Sequence, residues 1–455
     1  MTYRGRAPPS PLRIAVLAVV LTSTVPRAAV AQSATPTTTA TPTQSPYAAP
    51  AGDHCHVIVA GFPGVSGTAD GDLGVNVRLA DPISIVGNAT SGDVFIAELT
   101  NCAVRRLGTD GVVTRVLGTV GSCGYSGDGR DASSALVNGP IALAMATHDG
   151  LGGLLVAEYN GNIVRRMYGN GTVRTVAGIA GTAGNTGDFG PAASATLNAP
   201  HGFATLPDNS VLVVTTSANS IRRIWPNGCV AQCGARLSAH CDDRNLARAL
   251  AHTLRSTITT AVGNGVGAST GDGGPAVAAS LNTPTDITLL ADGGYWIGHS
   301  ACIRRVWPNG TITTAVGLCS TSGFAGDGQP ASMSSALMAA PRGMAPDNAG
   351  GWLWVEVGND IIRRWHANGT ISTFAGTAGV SAPITVATGG PARSLLLNGP
   401  YNLLGDGAGG WYVADRMSHV VRRLLHPTLC QRLGTLSSCA PSPGNAALLR
   451  CSLVN

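Results

Sequence analysis

Residues 302–317 read Cys-Ile-Arg-Arg-Val-Trp-Pro-Asn-Gly-Thr-Ile-Thr-Thr-Ala-Val-Gly, and residues 361–376 read Ile-Ile-Arg-Arg-Trp-His-Ala-Asn-Gly-Thr-Ile-Ser-Thr-Phe-Ala-Gly on the same plan. In both, two β-type runs flank Asn-Gly, a pair that supplies positive φ for a type I′ hairpin turn. Asn-Gly recurs at 170–171 and 227–228, and Asp110-Gly111 takes its place in the first copy. Working outward, a hydrophobic residue followed by Arg-Arg occurs at 105–106, 165–166, 222–223, 304–305, 363–364 and 422–423, at spacings of 60, 57, 82, 59 and 59 residues. A near-constant period of this size is the mark of a repeat architecture.

Upstream of each Arg-Arg lies another short strand, such as residues 153–158 or 410–415. Before that, Leu-Asn-x-Pro opens a further strand at 197–200, 281–284 and 397–400. Each unit therefore holds four strands, A to D from Leu-Asn-x-Pro onward. Six four-stranded units with no helical spacing predict an all-β fold, a six-bladed β-propeller in which radial repetition leaves only short sheet edges. The sixth unit lacks its D strand, while residues 56–61 form an isolated copy of one. The ring is expected to close by this N-terminal strand completing the last blade.

Gly-Asp-Gly-Gly-Pro-Ala (271–276), Leu-Asn-x-Pro, Val-Ala-Asp (413–415), Ile-Arg-Arg-Val (303–306) and Ile-Thr-Thr-Ala-Val-Gly (312–317) resemble the NHL-repeat propellers over about residues 54–430. The resemblance implies the fold. It does not choose a function, because propellers of that family include protein-, glycan- and RNA-binding modules and a few lyases.

The chain begins with Arg4, Arg6 and Arg13, an apolar stretch from Ile14 to Leu21 and Ala29-Val30-Ala31, which together read as a secretory signal over 1–31. That apolar stretch is too short to span a bilayer, and no later segment is long and apolar enough to do so. The tail also lacks the hydrophobic end of a lipid-anchor signal. A secreted protein without a membrane span is expected. Residues 32–53 are rich in Thr, Pro, Ser and Ala and read as a linker, the propeller fills 54–430, and 431–455 form a Cys-containing tail. The formal net charge of +5 falls to +1 once the four leader arginines, Arg4, Arg6, Arg13 and Arg27, are removed, so charge gives no case for nucleic acid. All 29 basic residues are Arg, which genome composition explains more simply than a phosphate-binding surface.

Eleven cysteines in an exported chain read first as a disulfide framework. Cys102 and Cys302 lie just before strand C, and Cys123 and Cys319 just after strand D. Because C and D are antiparallel, bridges Cys102–Cys123 and Cys302–Cys319 are expected, and the same logic joins Cys55 to Cys430 across the ring closure. The pairing of Cys229, Cys233, Cys241, Cys439 and Cys451 is left open. The long interval places an insertion at 229–256 in the C–D turn of the third blade, with a short helix over 245–252 capped by Asp242 or Asp243. A zinc site from Cys229, Cys233, Cys241 and His240 is the less favoured reading of that loop.

Strand direction sorts the loops. B–C and D–A loops share one rim, here the top, and A–B and C–D turns share the bottom. On the top lie Asp72, Asp128, Asp188, Asp272 and Asp327, and the strand-B acids Glu98, Glu158, Glu356 and Asp415. The loop aspartates are read as caps of tight turns and the strand-B acids as partners of strand-C arginines, rather than as calcium ligands. At the channel mouth the residues after each strand-A proline are Ile83, Ile141, His201, Thr285, Arg342 and Tyr401, followed by Ser84, Ala142, Gly202, Asp286, Gly343 and Asn402. One His and one Asp, with aliphatic residues in two blades, do not make a catalytic metal centre, and no cofactor or nucleophile motif is found.

What remains is a polar half-ring of His201, Asp286, Arg342, Tyr401 and Asn402, able to hold a small anionic or sugar-like ligand. The expected function is a binding or scaffold module, monomeric, for protein or glycan partners at the top face. A lyase or hydrolase at the same mouth is the alternative. The sequons Asn88-Ala-Thr, Asn170-Gly-Thr, Asn309-Gly-Thr and Asn368-Gly-Thr all fall on the bottom rim, so glycans there would leave the top for partners.

Overall fold

The computed structural model describes residues 54–146, 152–226, 256–331, 336–347, 349–381, 391–434, 438–442 and 445–452. Six antiparallel sheets stand in a ring, each with its A to D strands in order from the axis outward. The A strands are Pro82–Gly87, Pro140–Met145, Pro200–Thr205, Pro284–Leu289, Pro341–Pro346 and Pro400–Gly405, and neighbouring A strands contact one another around the axis. Strands B and C are buried almost throughout, and the core consists of inter-blade layers of Val, Ile, Leu and Ala.

The ring closes as expected. Cys55–Ala60 pairs antiparallel with Val420–Leu425, so the first strand of the chain is strand D of the last blade. Three disulfides have the expected partners: Cys55–Cys430, Cys102–Cys123 and Cys302–Cys319, with Cα–Cα separations of 5.7, 5.2 and 4.7 Å. Cys430 lies on a helix, α1 (Pro427–Gly434), that carries the chain away from the last blade. In the tail, Ser438–Ser442 and Asn445–Ser452 form a hairpin with Cys439 opposite Cys451 in register. The leader, the linker and the insertion with its helix and cysteines lie outside the described residues, apart from Ser256.

The hairpin turns differ from expectation. Gly171, Gly310 and Gly369 have φ of 82, 82 and 85°, but the preceding asparagines keep negative φ. Gly310 N–H donates to Trp307 O and Trp307 N–H to Thr311 O, at 2.8 and 2.9 Å, which makes a type I turn followed by a left-handed bulge residue, not a type I′ turn. In this turn Pro308 takes the first central position, where its ring fixes φ near −65°, so Asn309 becomes the second. Gly169 and Ala367 hold the same place in the other two turns, which have the same hydrogen bonds without a proline.

The arginine pairs explain the blade. Successive side chains on a strand point to opposite faces. The first arginine of each pair, Arg105, Arg165, Arg222, Arg304, Arg363 or Arg422, is fully or almost fully buried. In five blades its guanidinium holds the D–A loop that precedes the blade. Arg165 bonds Asp128 at 2.6 Å and the carbonyls of Ser126 and Leu136, and Arg363 bonds Asp327 at 2.6 Å and the carbonyls of Ala325 and Leu337. Arg222 and Arg304 repeat this with Asp188 and Asp272. In the first blade the partner is Asp70, at 2.8 Å, and not Asp72, which instead accepts from Leu73 N and Asn76 Nδ2. In the last blade Arg422 bonds the strand-B acid Asp415 at 2.7 Å; residues 382–390 of the loop before that blade lie outside the described residues.

The loop Asp elements are therefore not ornaments of the channel rim. Each loop runs as a strap along the outer edge of the blade it introduces. Gly273 N–H donates to Ile312 O and Ile312 N–H to Gly274 O, while Asp272 Oδ2 accepts from Thr314 N. In the first blade the strap is regular enough to make Asp72–Leu73 a fifth strand. Edge N–H and C=O groups that would otherwise template aggregation are thus covered. The second arginine points to the opposite face and meets the A–B turn: Arg106 with Asp93, Arg223 with Asp208, Arg305 with Asp292, Arg364 with Asp347 and Arg423 with Asp406.

The residue before each strand-A proline has positive φ in all six blades: Asp81 50°, Gly139 68°, Ala199 53°, Thr283 46°, Ala340 51° and Gly399 59°. The B–C loop of the preceding blade holds most of these N–H groups, through Asn162 to Ala199, Asn219 to Thr283, Asp360 to Gly399, His419 to Asp81 and the Ser300 carbonyl to Ala340. Blade-to-blade register is therefore fixed at the mouth itself.

Two outcomes are expected in urea unfolding. Arg304→Lys keeps the charge but loses the planar fork, so it should cost roughly 2–4 kcal/mol, whereas Arg305→Gln on the exposed face should cost under about 1 kcal/mol. Equal losses would refute the strap. Thr283→Gly relieves a left-handed β-branched residue and should raise stability by roughly 1 kcal/mol despite the added chain entropy of glycine; a destabilised variant would show that no strain is held there.

Candidate functional site

Of the half-ring, the fold brings three residues into one bonded group. His201 Nε2 lies 2.6 Å from Arg342 Nη1 and 2.8 Å from the Tyr401 hydroxyl, and Arg342 Nη1 also donates to that hydroxyl. The Arg342 guanidinium carbon sits 4.2 Å from the Tyr401 ring centroid, and the His201 and Tyr401 rings are stacked at 5.7 Å. The residues come from blades three, five and six and meet because each follows a strand-A proline at the axis. An arginine can only donate, so Nε2 of His201 accepts and its Nδ1 carries the proton. Burial, and then the adjacent Arg342 charge, push the His201 pKa well below its ordinary value, and burial raises that of the Tyr401 phenol. The imidazole is a neutral acceptor that holds Arg342 in place.

Asp286 and Asn402 go elsewhere. Asp286 Oδ2 accepts from Met344 N at 3.3 Å and Asn402 Oδ1 from Ile85 N at 3.1 Å; Ser84 Oγ accepts from Leu143 N in the same way. This repeat position staples a blade to the next one. Where the staple is absent the residue is Ala142, Gly202 or Gly343, and a Cβ on Gly202 would come within 2.8 Å of Asp286 Cα. Burial nonetheless raises the Asp286 carboxyl above its ordinary range.

Two neighbours of the site come from B–C loops and so escape a reading confined to strand A. Tyr159 stands edge-on to His201 at 6.3 Å, and the Arg416 guanidinium carbon lies 5.7 Å from the Tyr401 ring centroid. Their shared signal in the sequence is the position after a strand-B acid, Glu158 and Asp415. The opposite wall is apolar, with Ile83 and Ile141 packed beside Tyr401. Arg342 makes no ion pair within 4 Å among the described residues, and its Nε is buried without a hydrogen-bond partner. The arrangement is a half-buried cation held over an aromatic ring at the end of the channel.

Among the described residues, His299, Cys302 and Cys319 are the one grouping with metal-ligand chemistry, but both sulfurs are spent in a disulfide. His299 fills the strand-B slot that Glu98, Glu158, Glu356 and Asp415 fill in other blades. In each case the slot accepts a backbone N–H from the turn that enters strand A, and His299 Nε2 takes that of Asn282. It must be neutral to do so, and burial pushes its pKa down to about 4. No helix among the described residues is long and apolar enough to cross a membrane.

No family model matches the chain. It is 28% identical to human teneurin-1 over 201 residues, which is 37% of this chain and 7% of teneurin-1; mouse teneurin-1 is 28% identical over 208 residues. The chain thus spans a small fraction of the curated relatives it matches. Among solved structures, an auxiliary nutrient binding protein of Bacteroides ovatus superposes with a TM-score of 0.54 at 12% identity, covering 82% of this chain and 77% of that one. A protein of unknown function from Bacteroides thetaiotaomicron gives 0.53 at 16% identity, covering 82% and 75%. At these identities the likeness is one of fold.

His299 makes stability depend on pH in a definite direction. The unfolded imidazole takes a proton near pH 6.5 and the folded one only near 4, so stability is full above 6.5 and falls as pH drops through that window. Between pH 7 and 4.5 the wild type should lose roughly 2–3 kcal/mol more than His299→Gln. Parallel pH profiles for the two proteins would contradict a buried neutral His299.

Proposed function

We propose that this chain is an exported, disulfide-stabilised propeller of the NHL-repeat type that serves as a binding module, with its ligand site at the top mouth of the channel. The observation that supports the reading is Arg342. The first arginine of every pair and Arg416 at the mouth face a carboxylate, but this one is braced by a neutral histidine and a tyrosine hydroxyl. A carboxylate or sulfate on an acidic glycan or protein segment would give it a charge-assisted bidentate contact, and the Tyr401 and Tyr159 rings would offer flat faces to the rest of the ligand. The straps and staples make the mouth rigid, so little ordering would be needed on binding.

The test is titration calorimetry of the secreted protein against acidic oligosaccharides, their neutral counterparts and acidic peptides, at two salt concentrations. Binding is expected only for the acidic ligands, weakening with salt, and Arg342→Gln should reduce affinity by about 10- to 100-fold, the worth of a charged hydrogen bond. Tyr401→Phe should reduce it less. Unchanged affinity in Arg342→Gln, or a partner footprint on the bottom rim, would remove the mouth as the site.

A further inference from the structure

Three C–D turns form a natural series with one backbone and three different residues two places before an asparagine: Tyr168-Gly-Asn170-Gly-Thr172, Trp307-Pro-Asn309-Gly-Thr311 and His366-Ala-Asn368-Gly-Thr370. The hydrogen bonds match in all three. Tyr168, Trp307 and His366 each donate N–H to the threonine four residues on and accept from the glycine three residues on. Each asparagine uses only Oδ1, which accepts from the threonine N–H and hydroxyl at 3.0 and 2.8 Å. Nδ2, the atom that carries a sugar in an Asn-x-Thr sequon, makes no described bond, and all three asparagines are exposed.

The middle turn adds an aromatic platform. Trp307 Nε1 donates to Thr313 Oγ1 at 3.0 Å, which lays the indole along the face of strand D that carries Thr311 and Thr313. The bond from Thr311 Oγ1 to Asn309 Oδ1 draws the carboxamide toward that same face. The Arg305 guanidinium carbon lies 3.5 Å from the ring centroid and backs one side of the indole, yet Trp307 stays 38% exposed. An exposed indole two residues before a sequon asparagine, rigidly backed and presented beside a free Nδ2, is shaped to receive the apolar face of a pyranose ring.

We propose that Asn309 is an N-glycosylation site whose first N-acetylglucosamine stacks on Trp307, so that the sugar becomes part of the fourth blade's surface. The covalent step joins Asn309 Nδ2 to C1 of the sugar, breaks the C1–O bond to a polyprenyl-pyrophosphate oligosaccharide donor, and releases the Nδ2 proton with the pyrophosphate. Tyr168 and His366 offer smaller or more polar rings, which ranks Asn309 above Asn170 and Asn368 in the stability its sugar confers. This inference is independent of the channel mouth, since it concerns the opposite rim.

The experiment expresses the full chain in a eukaryotic secretory host and maps occupancy by glycopeptide mass spectrometry. Melting is then compared for the intact glycoprotein, protein trimmed to single N-acetylglucosamines, and protein stripped by an amidase; the charge that stripping introduces is measured separately, as the change Asn309→Asp causes in the unglycosylated chain made in a bacterial host. Trimming should leave the melting temperature unchanged, and removing the Asn309 sugar should lower it by at least about 2 °C beyond that control. Trp307→Ala should abolish the difference and Trp307→His should leave part of it. An unoccupied Asn309, or equal melting of trimmed and stripped protein, would overturn the proposal, as would a difference that survives in Trp307→Ala.

Discussion

A guanidinium buried inside each blade is the constraint on which the rest of the molecule depends. Taking a full charge out of water is costly unless it is paired, and in blades two to five the pairing comes from outside the sheet: an aspartate and two carbonyls of the loop that arrives from the previous blade. The buried arginine therefore dictates where that loop must run. Because the loop runs along strand D, it covers the exposed edge, delivers the chain to the axis at a fixed place and ties each blade to the one before. Lysine, with three donors on a point charge, could not hold an aspartate and two carbonyls in one plane.

The last blade departs from the others in sequence, where the residue aligned with the strap aspartates is Thr388. A covalent tie is added there. The N-terminal strand supplies the missing edge, and Cys55–Cys430 fastens it to the helix that follows the last C strand. At Cys102–Cys123 and Cys302–Cys319 a bridge joins the start of strand C to the chain beyond strand D in blades one and four, two places where the register of the repeat is locked twice.

Function needs a break in the sixfold pattern, and the mouth provides it. Most repeat positions near the axis are used by the fold. The prolines set the strand starts, the next position but one staples blades together, and the residue before each proline is held in a left-handed conformation by the preceding loop. The position just after the proline varies from isoleucine in two blades to histidine, arginine and tyrosine in three others. The polarity of the channel end is thus lopsided, with an apolar wall facing a cation and its aromatic support.

The number of blades, their four strands, the closure by the first strand and the three bridges are legible in the sequence, because each follows from a period or from strand direction, and both are properties of one repeat unit. The sequence also placed His201, Arg342 and Tyr401 at the axis. The turn type is not legible, since Asn-Gly reads as the two central residues of the turn when it is the second central residue and the bulge residue after it. The loop aspartates read only as turn caps, whereas they bind the buried arginines, and in the first strap it is Asp70 and not Asp72 that does so. Which of the five polar residues at the mouth would join one another was decided by the tertiary structure alone. Asp286 and Asn402 reach backbone of the next blade, whereas His201, Arg342 and Tyr401 reach across the axis to each other. A linear repeat records which residues share a position; the distance between blades three, five and six exists only once the ring has closed.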